Sequence, residues 1–392
     1  MDGGAQAQAA LPCEAQVARM MRSFPDDASI QVWGAQAIHA LIVDDVNNVD
    51  FSNRLGQAGA CAALLSALAT HSQNAAVQAA GLRAVCKLAD ECPANCCRFQ
   101  DAGIGTALID ATRTHAADAD VQETACLAIA NLAYTIGGAE VERTFRSAAA
   151  GAIDAVTEAL RAYIHHPKVP HQALSALSAM AVCRFGPVDI TLPQRLHAAQ
   201  VAQAVVAAMR TDVTLEGLQS AAATAIESMT ESSDGGGAAV AQQFLDAGAG
   251  NALMNALAAS TASGATSDTL KALAALAQYG GSAAQLLAAG VAEAIMAAVD
   301  KHCVRGGVLS ADFKCTLVIS AAMSAIAALA ASAPADSARL STVGACEVVA
   351  RAVRLHMDAQ EFDQTFGIGS TLAWRRSQRW PQLVSHTPRP WL

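Results

Sequence analysis

Val121-Gln122-Glu123-Thr124-Ala125-Cys126-Leu127-Ala128-Ile129-Ala130-Asn131-Leu132-Ala133 is the stretch on which the fold of this chain turns. Seven and ten residues after Gln122 stand Ile129 and Leu132, an i, i+3 pair on one face of a helix. The same apolar-Gln pair recurs as Ile30-Gln31, Val77-Gln78 and Leu218-Gln219, with His171-Gln172 as a weaker copy. Counting seven and ten residues from that slot gives Ile38/Leu41, Val85/Leu88, Ala179/Val182, Ile226/Met229, Leu273/Leu276 and Ile326/Leu329. One helix is therefore written many times.

A second periodic signal lies between these helices. Gly59, Gly103, Gly151, Gly248, Gly290 and Gly344 occupy one setting, with Gln200 where a seventh glycine would stand; the steps are 44, 48, 49, 48, 42 and 54 residues. Five residues on come Leu64, Leu108, Val156, Val205, Leu253, Ile295 and Val349; nine on come Leu68, Thr112, Leu160, Met209, Leu257, Val299 and Val353. These positions are one turn apart on one helical face. Four residues before the slot stand Leu55, Phe99, Ser147, Leu196, Phe244, Leu286 and Leu340, an inward anchor from a short preceding helix in all but one copy. A residue without Cβ fits where the short helix turns sharply into the longer one.

The unit is short helix, glycine turn, helix, polar loop, helix. No copy closes its own core, so each apolar stripe must be buried on the next copy. This pattern resembles the armadillo repeat, whose copies run from gly-ala-ile through a Leu-rich helix to Gln, two small residues and Ala-x-Asn-Leu-Ala. The resemblance covers about residues 28–357 and implies an all-α, right-handed α-solenoid of about seven three-helix repeats. Back-projection places a helix at Pro12 to Arg22, with Val17 and Met21 in the apolar slots, so residues 1–27 read as an N-terminal half-repeat cap. Periodicity is lost from Asp358. The remaining 358–392 form a non-repeat tail that gathers Trp374, Trp380 and Trp391 with Arg375, Arg376 and Arg379. A docking peptide, a tail folded back on an acidic body and a gene-model artefact all remain open for it.

Composition agrees with this architecture. Of 392 residues 53% are hydrophobic, yet only 4% are aromatic and 15% charged, against about a quarter charged in an average domain. Alanine-rich helices meeting through small side chains fit those figures; strands, which want β-branched and aromatic residues, do not. Lys and Arg total 25 against 34 Asp and Glu, a net charge of −9. That argues against nucleic acid as a partner, because phosphate neutralisation needs clustered cations. The 11 Cys are scattered without a disulfide framework, which points to a reducing compartment. The start Met1-Asp2-Gly3-Gly4 has neither a basic nor a long apolar region of a secretion signal. The most apolar run, about Ala321 to Ala333, is too short to span a bilayer. A cytoplasmic, monomeric chain is the expectation.

Catalysis needs a convergent nucleophile, base and orienting group or a metal cluster, and none stands in recognisable order. Cys92-Pro93-Ala94-Asn95-Cys96-Cys97 lacks a fourth zinc ligand and paired spacing; it reads as small apolar residues opening a short helix. His71, His115, His302 and His356 each lie twelve residues after their glycine, where an imidazolium complements a helix C-terminus. Ser232-Ser233-Asp234-Gly235-Gly236-Gly237 lacks the ending of a phosphate-binding loop. No cofactor, metal or catalytic residue is expected.

The resemblance implies that the last helix of each unit lines a concave groove, where Asn side chains pair with peptide backbone and Trp flanks them. Here the Asn position reads Ala40, Lys87, Asn131, Ala181, Ser228, Ala275 and Ala328, and the Trp position reads Gln36, Arg83, Leu127, Leu177, Thr224, Lys271 and Ser324. One Asn is not a ladder, which counts against capture of basic nuclear-import peptides. Gln36, Arg83, Lys87, Leu127, Asn131, Leu177, Thr224 and Lys271 are the candidate contacts of a groove that takes a partner's helix or loop by shape. The expected function is a non-enzymatic interaction scaffold or adaptor. The alternatives are a structural subunit of a large ciliary or organellar assembly and, least favoured, an enzyme or its regulatory fragment.

Overall fold

The backbone takes the left-handed conformation at six of the seven anchor slots. In the computed structural model, which describes residues 13–43, 48–136, 149–182, 196–197, 200–231, 236–305, 308–309, 313–333 and 338–350, Gly59, Gly103, Gly248, Gly290 and Gly344 all have φ between 81° and 95°. Side chains rarely adopt this left-handed region, so glycine is selected by geometry. Gln200, in the slot without glycine, holds the same conformation with φ at 52°. Gly151 departs: it lies inside a helix that begins at Ala149, so the reading that every copy turns at its glycine fails there. Its lack of a Cβ leaves room instead for the Arg113 guanidinium, 2.9 Å from where that atom would sit. Replacing Gln200 by glycine relieves a left-handed residue but frees the unfolded chain, for an expected net gain of up to about 1 kcal/mol. A rise in the urea midpoint measures it.

Contacts divide the chain into two compact units, residues 1–204 and 205–392. The first holds α1 (Cys13–Ser23), α2 (Ala28–Val43), α3 (Asn48–Gln57), α4 (Ala60–Thr70), α5 (Ala75–Ala89), α6 (Pro93–Asp101), α7 (Ile104–Thr114), α8 (Ala119–Ile136), α9 (Ala149–Ala162) and α10 (Val169–Val182). Next comes α11 (Val201–Thr211), which carries the boundary. The second unit continues with α12 (Glu216–Glu231), α13 (Gly237–Asp246), α14 (Ala249–Ala259), α15 (Ser263–Ala277), α16 (Gly280–Ala288), α17 (Val291–Cys303), α18 (Phe313–Ser332) and α19 (Ala338–Thr342). The third helices of successive copies pack side by side: α2 on α5, α5 on α8 and α8 on α10 in the first unit, α12 on α15 and α15 on α18 in the second. The chain is an all-α, armadillo-like solenoid. A helix, α1, stands where back-projection placed one and packs on α2 and α4; the tail from Asp358 lies outside the described residues.

The two apolar stripes go where their periodicity sends them. Leu64, Leu108, Val156, Val205, Leu253 and Ile295 are fully buried, as are Val85, Leu88, Ile129, Leu132, Ile226 and Met229. Three positions differ. Leu41 and Val349 are half-buried while their neighbours Ile42 and Val348 take the core place, and Val182, last residue of α10, is 52% exposed because the helix stops there.

The glutamine of the apolar-Gln pair marks more than a helix start. Two backbone carbonyls at the end of the preceding helix lack intrahelical partners, and the buried amide reaches both. Gln31 Nε2 donates to the Met21 and Phe24 carbonyls at 3.0 and 2.7 Å, and Gln78 Nε2 to those of Leu68 and His71 at 2.7 and 3.1 Å. Gln122 reaches Thr112 and His115 at 2.7 and 3.0 Å; Gln219 reaches Met209 and Asp212 at 2.8 and 3.0 Å. Close helix crossing requires small residues three places on: a Cβ on Gly81 would stand 2.8 Å from Leu68 Cδ2. Where the slot holds Thr266, the shorter side chain bonds Ser260 Oγ at 2.9 Å and His302 Nε2 at 3.0 Å instead.

Polar ladders then join each copy to the next. The twelve-residue slot carries one of them: His71 Nε2 lies 2.8 Å from the Pro25 carbonyl, His115 Nε2 lies 2.7 Å from that of Ser72, and Tyr163 Oη donates to that of Ala116 at 3.1 Å. These rings reach across copies, beyond the helix end that the spacing alone suggested; His356 lies outside the described residues. Arginine ten places after the slot carries the other ladder. Arg22, Arg161 and Arg210 donate to the carbonyls of Gly59, Gln200 and Ala247 at 3.5, 3.0 and 3.1 Å, beside the next left-handed turn.

Two features exceed the sequence expectation. The extra residues of the longest step contain an antiparallel pair of two-residue strands, β1 (Val304–Arg305) and β2 (Val308–Leu309), in register Val304 with Leu309 and Arg305 with Val308. They belong to the insertion and interrupt no repeat helix. In addition α18 extends the alanine-rich run to Lys314–Ser332, long and apolar enough by length and composition to cross a membrane. Half of that stretch is buried, and α18 packs on α15 as a third helix does.

Candidate functional site

Third helices bury one face and leave a stripe outward. On α2 that stripe is Ser29, Trp33, Gln36 and Ala40, spaced four, three and four residues as one helical face requires. Trp33 is 64% exposed. The ring falls on neither the Asn nor the Trp position of the repeat pattern but one turn before Gln36.

On α5 the stripe carries Arg83 and Lys87. Arg83 Nη2 stands 3.8 Å from Asp120 Oδ2 across to α8, and Lys87 Nζ stands 3.4 Å from Asp90 Oδ2. Both pairs face solvent, so neither is worth more than a few tenths to about 1 kcal/mol and each opens readily to a competing charge. His39 on α2 belongs to the same patch: burial lowers its imidazole pKa, and the adjacent cations Lys87 and Arg83 lower it further. The patch thus groups three potential cations on two helices.

On α8 Leu127 is half-buried and offers part of its side chain. Asn131 turns its amide inward, Nδ2 donating to the Cys86 carbonyl at 3.3 Å, so it braces α8 on α5. Leu177, expected as a groove contact, is 2% exposed. Packing of α8 on α10 covers it, and it presents no surface. Tyr134, an aromatic ring on the same helix as Asn131, is 54% exposed, with Oη donating to Ser178 Oγ at 3.3 Å.

The second unit has a different character. Thr224 is half-buried and returns its hydroxyl to the Ser220 carbonyl at 2.9 Å. Lys271 is exposed but bound to Asp268 Oδ1 at 3.2 Å. Asp268 also accepts from Ser220 Oγ, and Glu231 Oε1 accepts from Gln278 Nε2 at 3.4 Å. Between them lies Glu227, whose carboxyl is pushed up to about 7, first by burial and then by Glu231, with Lys271 opposing. Glu227 and Glu231 stand one residue before and three after Ser228, outside the Asn and Trp positions of the repeat pattern. A raised carboxylate pKa contributes stability below the unfolded value, and that contribution is lost as pH rises from 4.5 to about 7. Glu227→Gln is therefore expected to raise the melting temperature at pH 8 and to leave it unchanged near pH 4. Discounted for the open side of the group, the gain is on the order of 1 kcal/mol.

The dense thiol run at 92–97 packs as expected for small apolar residues: Cys92 caps α6, Cys92 and Cys96 are buried, and Cys96 Sγ donates to the Ala89 carbonyl at 3.3 Å.

No protein-family model matches the chain, and no curated protein matches it. Solved structures do. Two engineered proteins align with TM-scores of 0.55 and 0.54 at 22% and 20% identity, each covering 68% of this chain and 99% and 97% of their own. A designed armadillo repeat protein in complex with the peptide (KR)4 aligns with a TM-score of 0.54 at 18% identity, covering 68% of this chain and all of its own. At these identities the likeness establishes the armadillo-like repeat fold.

Proposed function

We propose that this chain is a non-enzymatic scaffold or adaptor that holds a protein partner on the outward stripe of its third helices, within the first unit. The observation that carries this reading is that exposed Trp33, Gln36 and Arg83 and half-buried Lys87 lie on the packed helix pair α2 and α5. An aromatic ring beside releasable cations supplies both the apolar area and the orienting charge that interface centres use. The designed armadillo protein that is similar in fold carries a peptide, which supports the same use of the architecture here. Leu127 and Asn131 border the patch; Thr224 and Lys271 serve a second, more acidic stripe in the other unit. The chain acts as a cytoplasmic monomer on protein, without cofactor or nucleic acid.

Charge reversal tests this. Arg83→Glu with Lys87→Glu, or Leu127→Asp alone, is expected to lower partner capture at least tenfold, about 1.4 kcal/mol or more, with helicity by circular dichroism preserved. Affinity purification with mass spectrometry from native source compares the captured proteins. Equal capture by wild type and variants moves the site elsewhere.

A second reading, a structural subunit of a large ciliary or organellar assembly, draws on Met20 and Phe24, exposed large apolar side chains of the cap region. Solution mass separates the two: an adaptor is monodisperse alone, whereas a subunit that needs its neighbours aggregates.

A further inference from the structure

Cys303 ends α17 and Cys315 is the third residue of α18, with the β1–β2 hairpin between them. Each sulfur lies against the backbone of the other's segment. Cys303 Sγ donates to the Cys315 carbonyl at 3.6 Å, and Cys315 Sγ donates to the His302 carbonyl at 3.2 Å. Both side chains are buried and both are thiols. The chain therefore enters and leaves the insertion at one place, and the two Cβ–Sγ bonds hang between the same two backbone segments. α17 packs on α18, which keeps those segments together. A disulfide needs Cα atoms about 4.4–6.8 Å apart with facing Cβ vectors, and each sulfur already lies within hydrogen-bonding reach of the other's backbone segment.

We propose that Cys303 and Cys315 form a modification site: a thiol pair that a low-molecular-weight disulfide such as glutathione disulfide converts to an intramolecular disulfide, closing the 304–314 insertion into a covalent loop. One cysteine thiolate attacks a sulfur of glutathione disulfide, making a protein–glutathione bond and releasing one glutathione thiolate. The second cysteine thiolate attacks the protein sulfur of that mixed disulfide, making the Cys303–Cys315 bond and releasing the second glutathione. Two protein thiols give up two protons and two electrons, and glutathione disulfide is reduced to two glutathione thiols. Burial of both sulfurs makes the first step slow, since a thiol reacts only as an accessible thiolate. The product ties the end of α17 to the start of α18 and fixes where the last long third helix begins.

Full-length protein is incubated under native conditions with glutathione disulfide, alkylated and digested with trypsin, which cuts after Lys301, Arg305, Lys314 and Arg339. The expected result is that peptides 302–305 and 315–339 are recovered joined, short of two hydrogen masses, as the dominant linked pair, and that added reductant separates them. Cys303→Ser should instead leave glutathione on Cys315; if that variant fails to fold by circular dichroism, the wild-type peptide map decides alone. Recovery of both peptides separately alkylated, of either one carrying only glutathione, or of links to other cysteines would overturn the proposal.

Discussion

Leu132→Ala is expected to cost about 2–5 kcal/mol in urea unfolding, the range for truncating a fully buried leucine, whereas Asn131→Ala next to it costs about 1 kcal/mol or less. Leu132 has no exposed surface, and its side chain lies in the stripe that α8 turns toward the core. Asn131 is half-buried and contributes one 3.3 Å hydrogen bond to a carbonyl, that of Cys86, which also serves its own helix through Asp90 N. A typical net hydrogen bond is worth about 1 kcal/mol, so neighbouring residues on one helix should differ severalfold. Equal losses would mean that the faces of α8 are assigned wrongly.

Alkaline pH is expected to destabilise the protein from about pH 9 upward through its buried thiols. Burial pushes the thiols of Cys61, Cys86 and Cys126 from 9.0 up to about 12. For Cys61, Arg98 opposes part of the shift; for Cys126, burial is the whole cause. An acid raised in the folded state is protonated there while the unfolded chain ionises. The stability is complete below pH 9 and is withdrawn as pH rises from 9 toward 12. Each thiol gives up about 1.4 kcal/mol per pH unit in that window, so three together give up about 4 kcal/mol at pH 10. The urea midpoint at pH 8 and pH 10 reads this. Replacing all three by alanine should flatten the difference even though the variant starts less stable; an unchanged pH dependence would show that these thiols are not held neutral by burial.

Much of the architecture was legible because the repeat imposes one steric demand at one position many times. A left-handed turn selects glycine, so the slot stands out, and even Gln200 was correctly aligned by its neighbours although its own identity gives no sign of a positive φ. Gly151 shows the limit: glycine identifies a place that tolerates the turn, and the chain there runs on as a helix. The apolar stripes were legible because burial and hydrophobicity coincide. Val182 broke that link, since an apolar residue at a helix end need not meet a neighbour.

Polar periodicities in the sequence show their spacing but not their partners. Gln31, Gln78, Gln122 and Gln219 served as markers, while their work, holding two carbonyls of the previous helix, depends on reach across a loop that no one-dimensional spacing displays. The arginines at Arg22, Arg113, Arg161 and Arg210 recur ten residues after the slot, and counting at that offset would have found them. The candidate site was the least legible part. Leu177 sits where the resemblance places a groove residue, yet the packing of its own helix covers it. Trp33 is the residue type that the family's pattern calls for but stands three residues before the Trp position at Gln36, and Glu227 stands one residue before Ser228 and matches neither residue type of the pattern.

No copy of the repeat is stable alone, because each buries its stripe on its neighbours. Hydrogen exchange resolved by helix, comparing wild type with Leu132→Ala, reads that dependence. α8 packs on α5 before it and α10 after it, so the account predicts that amides of all three helices exchange faster in the variant, by a similar factor. Acceleration confined to α6, α7 and α8, with α5 and α10 protected as in wild type, would contradict it.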